Sequence, residues 1–343
     1  MPAQRPRPRG RPTVRTVAEA AGVSVASVSR VLNGLTTNEE TIRRVREAVA
    51  KVGYVQDSAA RSLKTRQTGQ VAFAMADIGN AAYLAMVRAI QPILREAGYR
   101  LLLHSTDADI ADEIEVLRSL NQRYVDGLII CPLRVTERHV EELEQAATPV
   151  VVIGQLPAGC PVDNVRIDSR PGVARAIAHL VDGGRRQIAL INGPVDTVPG
   201  RSRYLGYLDG LRAAGKEERR ELVAFTDFSV EGGAKAAQEI LDVAEPDAIL
   251  AANDILAVGA LQTLRQRNLK VPDDVAVVGM DDTELAATAW PPLTSISLRA
   301  YERGQLAARL LLKRLADPDR APEWVTVEPQ LVVRASSAAV TTP

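Results

Sequence analysis

Cysteine is nearly missing from this chain. Cys131 and Cys160 are its two examples, and neither belongs to a Cys-x-x-Cys pair. That excludes a disulfide framework and reads as two reduced thiols in a cytosolic protein. The three histidines, His104, His139 and His179, are scattered without metal-ligand spacing, so no metal site and no cofactor is expected. No apolar run approaches the roughly 18 residues of a membrane span. The basic N-terminus has no apolar segment behind it, so no secretory signal is expected. Catalytic signatures are missing too. No Gly-x-Gly-x-x-Gly follows a strand pattern and no Gly-x-Ser-x-Gly elbow occurs. Gly210-x4-Gly215-Lys216 imitates a phosphate loop, but Glu217 stands where Ser or Thr is required, and glycine there reads as a helix stop. No catalytic residue is assigned, and an enzyme is not expected.

What remains is an ordinary soluble composition, 46% apolar and 24% charged, on 343 residues. That length predicts two or three domains. The net charge of zero conceals an asymmetry. Residues 1–70 hold thirteen of the 42 Lys+Arg and only five of the 42 Asp+Glu, so a head of net +8 precedes a body of net −8. A polyanion partner is expected for the head alone.

The stretch from Thr13 to Gly34 is the most telling. Val14, Val17, Ala18 and Ala21 follow helical spacing and Gly22 breaks the helix. Ser24 suits the N-cap of a second short helix, with Val28, Val31 and Leu32 turned inward. Two short helices joined by a glycine-containing turn describe a helix-turn-helix, whose second helix enters the DNA major groove. An acidic first turn, Glu39-Glu40, begins a third helix with Ile42, Val45, Val49 and Val52 on one face, ending near Gly53. Ahead of this head, residues 1–12 form a basic leader expected to be disordered when free. Its Pro8-Arg9-Gly10-Arg11-Pro12 is read as a solvated leader, with an AT-hook-like minor-groove segment as the alternative. Tyr54–Arg66 is a connector whose Ser58–Lys64 has helical propensity but is too short to be stable alone.

From Gln70 onward, short β-rich runs alternate with amphipathic helices. Strands are expected at Val71–Met75, Leu101–His104, Leu128–Cys131 and Val150–Ile153, with helices at Leu84–Ala97, Ile110–Leu120 and Val140–Ala147. The alternation restarts with strands near Ile188–Ile191, Leu222–Phe225, Ile249–Ala252 and Val275–Val278. Helices at Val173–Val181, Arg203–Ala214, Gly233–Leu241 and Ile255–Arg267 lie among them. Two such sets predict two similar parallel-sheet lobes, with a ligand cleft beyond the carboxyl ends of the strands.

The segment Ala18-Glu-Ala-Ala-Gly-Val-Ser-Val-Ala-Ser-Val-Ser-Arg-Val-Leu-Asn33 resembles the signature of the lactose/galactose repressor (LacI/GalR) family of bacterial transcription regulators. Further matches follow in order: Val52-Gly-Tyr54, Ala60-Arg-Ser-Leu63, Val125-Asp-Gly-Leu-Ile129, Gly193-Pro194, Arg203-x3-Tyr207, Ala252-Asn-Asp-x2-Ala-x-Gly-Ala260, Val277-Val-Gly-Met-Asp-Asp282 and Pro291-Pro-Leu-Thr294. The resemblance implies an N-terminal all-α helix-turn-helix head plus an α/β core of two similar parallel-sheet lobes, like the periplasmic sugar-binding proteins. The implied division is a helix-turn-helix domain at 13–57, a hinge helix and linker at 58–69, a first lobe of 70–168 with 299–327, and a second of 169–298 with 328–343.

By the same resemblance, Val25, Ala26 and Arg30 read bases, and Thr13, Ser24, Ser29 and Asn33 set register as phosphate contacts and caps. Arg61 and Leu63 belong to the hinge, Leu63 as an apolar wedge in the minor groove. The family often carries Pro-Asn after the tyrosine motif, whereas this chain has Gln56-Asp57, which weakens the start of the hinge. The expected effector contacts are Tyr83, Arg203, Phe228, Asn253 and Asp281, with Asp168 and Asp107 as weaker candidates. Thr197, Val198 and Pro199 stand where purine-responsive members carry polar and charged ligand contacts, which favours a sugar or sugar derivative. The implied protein is a cytoplasmic, ligand-responsive regulator, most simply a repressor, binding a palindromic DNA operator of roughly 14–20 base pairs as a homodimer. The alternative is a soluble sugar-binding receptor without a DNA role.

Overall fold

The computed structural model describes residues 12–35, 38–55 and 67–338. The leader and the hinge residues Gln56, Asp57, Arg61 and Leu63 lie outside the described residues. The chain divides into two compact units between Thr68 and Gly69.

The first unit contains three described helices: α1 (Val14–Ala21), α2 (Val25–Leu32) and α3 (Glu39–Val52). Thr13 caps α1, its Oγ1 accepting from the Thr16 N–H while the Thr13 N–H donates to Thr16 Oγ1. Gly22 ends α1 at φ 61°, a left-handed conformation that glycine adopts without cost. The Arg44 guanidinium reaches from α3 and donates to Gly22 O at 3.1 Å, satisfying a carbonyl at that helix end. Ser24 caps α2 and Asn38 caps α3. Val17, Ala18, Ala21, Val28, Val45 and Ala48 form the small core between the three helices.

The second unit holds two six-stranded sheets. The first contains β1 (Gln70–Met75), β2 (Arg100–Ser105), β3 (Gly127–Cys131), β4 (Val150–Ile153), β5 (Asp163–Ile167) and β11 (Trp324–Val327), in the order β2-β1-β3-β4-β5-β11. All its pairings are parallel. The second contains β6 (Ile188–Asn192), β7 (Val223–Phe225), β8 (Ala248–Ala251), β9 (Ala276–Met280), β10 (Thr294–Ser297) and β12 (Gln330–Val332), in the order β7-β6-β8-β9-β10-β12. Only its last pairing, β10 with β12, is antiparallel.

Helices α4 (Ala81–Glu96), α5 (Ile110–Ser119), α6 (Glu137–Glu144) and α12 (Ala300–Ala316) cover the first sheet. The second carries α7 (Arg170–Asp182), α8 (Val198–Ala213), α9 (Val230–Val243) and α10 (Asp254–Gln266), with short α11 (Glu284–Thr288) against α10. Ile129 and Val151 pack on one face of the first sheet, while Leu128, Ile130, Val150 and Val152 pack on the other. Burial on both faces is why these strands read as unbroken apolar runs.

The chain passes between the sheets three times: after β5, between β10 and α12, and between β11 and β12. The strands β5, β10, β11 and β12 and helices α11 and α12 were not among the elements read from apolar rhythm. Polar residues interrupt that rhythm: Asp163 and Asn164 in β5, and Thr294 and Ser295 in β10, are all fully buried. Asp163 is held there by the guanidinium of Arg314 at 2.9 Å, by Arg320, and by the Glu323 N–H at 2.7 Å. A buried carboxylate so paired ties β5, α12 and the start of β11 together.

Candidate functional site

Two surfaces carry candidate chemistry. On α2, Val28 is buried and Val31 and Leu32 are half-buried, so the opposite face is free of the core. Val25, Ala26 and Arg30 are exposed on it and Ser29 is half-buried, four residues spaced to share one helix face. The Arg30 side chain has no hydrogen-bond or ion-pair partner among the described residues. Asn33 ends the helix, its Nδ2 donating to Ser29 O at 2.7 Å. Thr13 and Ser24 act as the N-caps of α1 and α2, so their hydroxyls are committed to helix ends. The 8-residue length of α2 and its exposed guanidinium describe an element that fits the B-DNA major groove.

The second surface is a cleft between the two sheets of the second unit, enclosing about 950 Å³ including its open mouth. It lies beyond the carboxyl ends of the strands: Ala76 follows β1, Cys131 ends β3, Gly154 follows β4, Asn253 follows β8, Asp281 follows β9 and Leu298 follows β10. Five of the expected effector contacts, Tyr83, Arg203, Phe228, Asn253 and Asp281, line it. Asp168 does not. Its Oδ1 instead accepts from Ser202 Oγ at 2.8 Å and from the Arg170 N–H, a cap at the start of α7 that leaves it off the cleft wall. Asp107 sits in a turn and does not reach the cleft either.

Each lining side chain has a local reason for its place. Asn253 is the N-cap of α10, its Oδ1 accepting from the Leu256 N–H at 2.8 Å, while Nδ2 has no hydrogen-bond partner among the described residues. Asp281 has φ 98°, a conformation rarely adopted outside glycine and one that functional sites retain at a cost. Burial pushes its carboxyl pKa up, while Arg203 and Arg303 pull it back. Arg203 comes from α8, with Nη2 3.9 Å from Asp281 Oδ1 and its guanidinium 5.7 Å from the centre of the Phe228 ring. The Phe228 ring lies against Gly193, where a Cβ would meet Cζ at 2.0 Å. Glycine at 193 is therefore a packing requirement of the aromatic wall. Tyr83, on α4, is buried, and burial carries its phenol far above the usual range, so it stays a neutral donor and acceptor.

Val198 and Pro199 contribute apolar wall at the start of α8, where Thr197 is the N-cap. Gly210 packs against Ile177 inside α8 and Gly215 follows that helix at φ 65°, so the phosphate-loop imitation is a helix and its stop.

Among the lining residues not read from the sequence, two bring buried ionisable groups. Cys131 joins the wall with its thiol pushed up to about 11 by burial, hence uncharged. Arg303 joins it from α12, only 5% exposed. A signal was present: Ala300, Arg303, Gly304, Ala307 and Leu311 form one buried stripe at helical spacing, and an arginine in such a stripe faces inward. No group of three or more His, Cys, Asp or Glu that could hold a metal occurs among the described residues.

Residues 13–57 match the bacterial regulatory proteins of the lacI family, and residues 177–337 match the periplasmic binding protein-like domain. The chain is 36% identical over 338 residues to the HTH-type transcriptional regulator CelR of Thermobifida fusca, covering 96% of this chain and 99% of that protein. A solved complex of transcriptional regulator CelR with cellobiose matches with a TM-score of 0.72 at 34% identity, over 95% of this chain and 100% of that one. A Lac repressor dimer bound to operator and the anti-inducer ONPF matches with a TM-score of 0.85 at 27% identity, over 96% and 100%.

Proposed function

The chain belongs to the lacI family of bacterial regulatory proteins, and from that premise we propose a sugar-responsive repressor that grips a palindromic operator as a homodimer. One observation carries the reading: a single chain joins an exposed reading face on α2 to a polar-studded cleft in a separate unit.

On the operator, Arg30 takes the base-reading role, bidentate to guanine O6 and N7, while Val25 and Ala26 offer apolar contact such as a thymine methyl accepts. Thr13, Ser24, Ser29 and Asn33 stand near the phosphates and fix register. Arg61 and Leu63 take the hinge roles that the family resemblance implies, the leucine wedging a base step open. In the cleft, Asn253, Asp281 and Arg203 meet the ligand's polar groups, and Tyr83 and Phe228 flank the ring. The ligand is a small sugar or sugar derivative, in keeping with the cellobiose bound by the related regulator. Binding it changes operator affinity through a coupling of ~1–3 kcal/mol, or roughly 5–150-fold.

The experiment is an operator selection from random duplexes at two salt concentrations, repeated on a chain lacking residues 1–66. The intact chain should enrich a palindrome, and the truncated chain should lose DNA while keeping ligand. Equal affinity for palindromic and random DNA overturns the regulator reading and favours a soluble sugar receptor.

A further inference from the structure

Two guanidinium groups face the cleft with no carboxylate of the described residues in hydrogen-bond range. Arg203 and Arg303 are 7% and 5% exposed, and both line the cavity. They arrive from opposite sides: Arg203 on α8 over the second sheet, Arg303 on α12 over the first. The Nε of each is buried without a hydrogen-bond partner among the described residues. Arg203 lies 3.9 Å from Asp281 at its nearest approach, beyond hydrogen-bond range, and Arg303 has no ion pair among the described residues.

The charge balance of the buried wall is therefore two cations against one acid. Asp281 is that acid, and its own carboxyl is pushed up by burial. The other nearby groups do not restore neutrality. Asp254 is not on the wall; it attracts Arg203 electrostatically, but burial raises its own pKa to about 7, so it carries only part of a charge at neutral pH. Asp77 also lines the cleft, but at its exposed rim, where water screens its charge from the buried guanidiniums. Glu113 is paired with His139 at 2.9 Å. The Cys131 thiol and Tyr83 phenol are neutral. Arginine does not surrender its proton in proteins, so the excess charge persists. A cation with no carboxylate in hydrogen-bond range is poised to take an anion from outside the chain, because pairing offsets the cost of its burial.

We propose that the cleft ligand is an acidic carbohydrate whose one carboxylate or phosphate sits between Arg203 and Arg303. The proposal rests on the sugar-responsive reading above and narrows its ligand class. The planar fork of arginine matches both kinds of anion bidentately. Two forks from opposite sides make that anion a bridge between the lobes, while Asn253 and Asp281 remain for hydroxyls. A neutral sugar leaves the excess charge unanswered.

Calorimetry and thermal melting of the full chain test this with inorganic phosphate, acetate, glucose, glucuronate, glucose 6-phosphate, cellobiose and cellobionate at matched ionic strength. An acidic sugar should bind about ten- to a hundredfold more tightly than its neutral parent. The carboxylate and phosphate arms identify which anion fits. Phosphate or acetate alone should raise the melting temperature saturably. Arg303→Met should abolish both effects while its ligand-free melting temperature holds or rises, because an unpaired buried charge has been removed. Three results overturn the proposal: a neutral parent binding as tightly as its acid, an anion preference that survives Arg303→Met, or a large loss of ligand-free stability in that variant. The first of these leaves the sugar-responsive repressor standing. A chain that responds to no sugar, neutral or acidic, loses both readings together.

Discussion

Asp254, the first residue of α10, accepts three hydrogen bonds in a site where water does not reach it. Burial raises its pKa from 3.8 to about 7, neighbouring Asp281 adds to the rise, and the bonds from Ser295 and Thr283 offset part of it. The unfolded chain releases this proton near 3.8, while the folded chain keeps it to about 7. Across that window the native state binds more protons, so this group's contribution to stability falls as pH rises and levels off above 7. Over the full window the decline amounts to about 4 kcal/mol at most. Urea unfolding of the chain and of Asp254→Asn between pH 4.5 and 8 should show the wild-type advantage shrinking upward. A gap that stays constant across the series refutes the raised pKa. Arg30 gives a second test at this scale. Arg30→Ala should weaken cognate operator binding by ~1–3 kcal/mol and relax discrimination at one base pair, read by competition with single-base operator variants. A uniform loss on every sequence would make Arg30 a phosphate contact instead. Of these residues, Arg30 and the cleft contacts were legible because a motif points at them. Asp254 was matched within a motif but gave no hint of its titration, which arises from burial that only the assembled lobe supplies.

Helices α9 and α10 show what an element conceals. Gly233 and Gly259 let the two backbones meet: a Cβ on Gly233 would lie 2.3 Å from Leu256 O, and one on Gly259 would lie 2.1 Å from Val230 O. Backbone atoms cannot swing aside as a flexible side chain can. Alanine raises intrinsic helix stability by ~0.8–1.0 kcal/mol over glycine, so packing alone decides the sign here. Gly233→Ala and Gly259→Ala should each destabilise by about 1–3 kcal/mol in thermal or urea unfolding. The double variant should lose less than the sum, since helices already forced apart admit the second Cβ more easily. Gains in stability from either change would refute the close approach. Strand and helix alternation was legible wherever the strand core is apolar, as in Leu128–Cys131 and Ile188–Ile191. It failed where buried polar groups do structural service, as at Asp163 of β5 and Ser295 of β10. Hydrophobic rhythm registers burial by apolar residues, and an ion pair or hydroxyl network breaks that code without breaking the strand.

At the scale of the whole molecule, the basic head was visible in the charge count, but the three crossings between sheets were not. Nothing at Leu298 or Glu328 says which sheet the next strand joins; only the family resemblance implied it. The crossings matter because they let one ligand touch both lobes: Tyr83 and Arg303 come from the first, and Arg203, Asn253, Phe228 and Asp281 from the second. The protein adds its own bridges around the cleft. Arg134 Nε donates to Asp196 at 2.8 Å, Arg88 Nη1 to Glu284 at 2.7 Å, and the Val198 N–H to Leu133 O at 2.8 Å. The Arg88–Glu284 pair is largely exposed, and Asp196 leaves the half-buried Arg134 open to solvent on one side, so each is worth ~0.2–1 kcal/mol and they bias closure without enforcing it. A ligand that contacts both lobes binds the closed arrangement preferentially, and breaking the bridges makes closure dearer. The double variant Arg134→Ala with Glu284→Ala should therefore weaken effector binding by about two- to thirtyfold, each change contributing separately because the pairs share no partner. Its operator affinity without effector should shift opposite to the shift that effector produces, as reciprocal coupling requires. Calorimetry for the effector and fluorescence anisotropy for the operator measure the two sides. Effector affinity left unchanged in the double variant would mean that lobe closure draws nothing from these ion pairs, and that the ligand's own contacts hold the cleft shut.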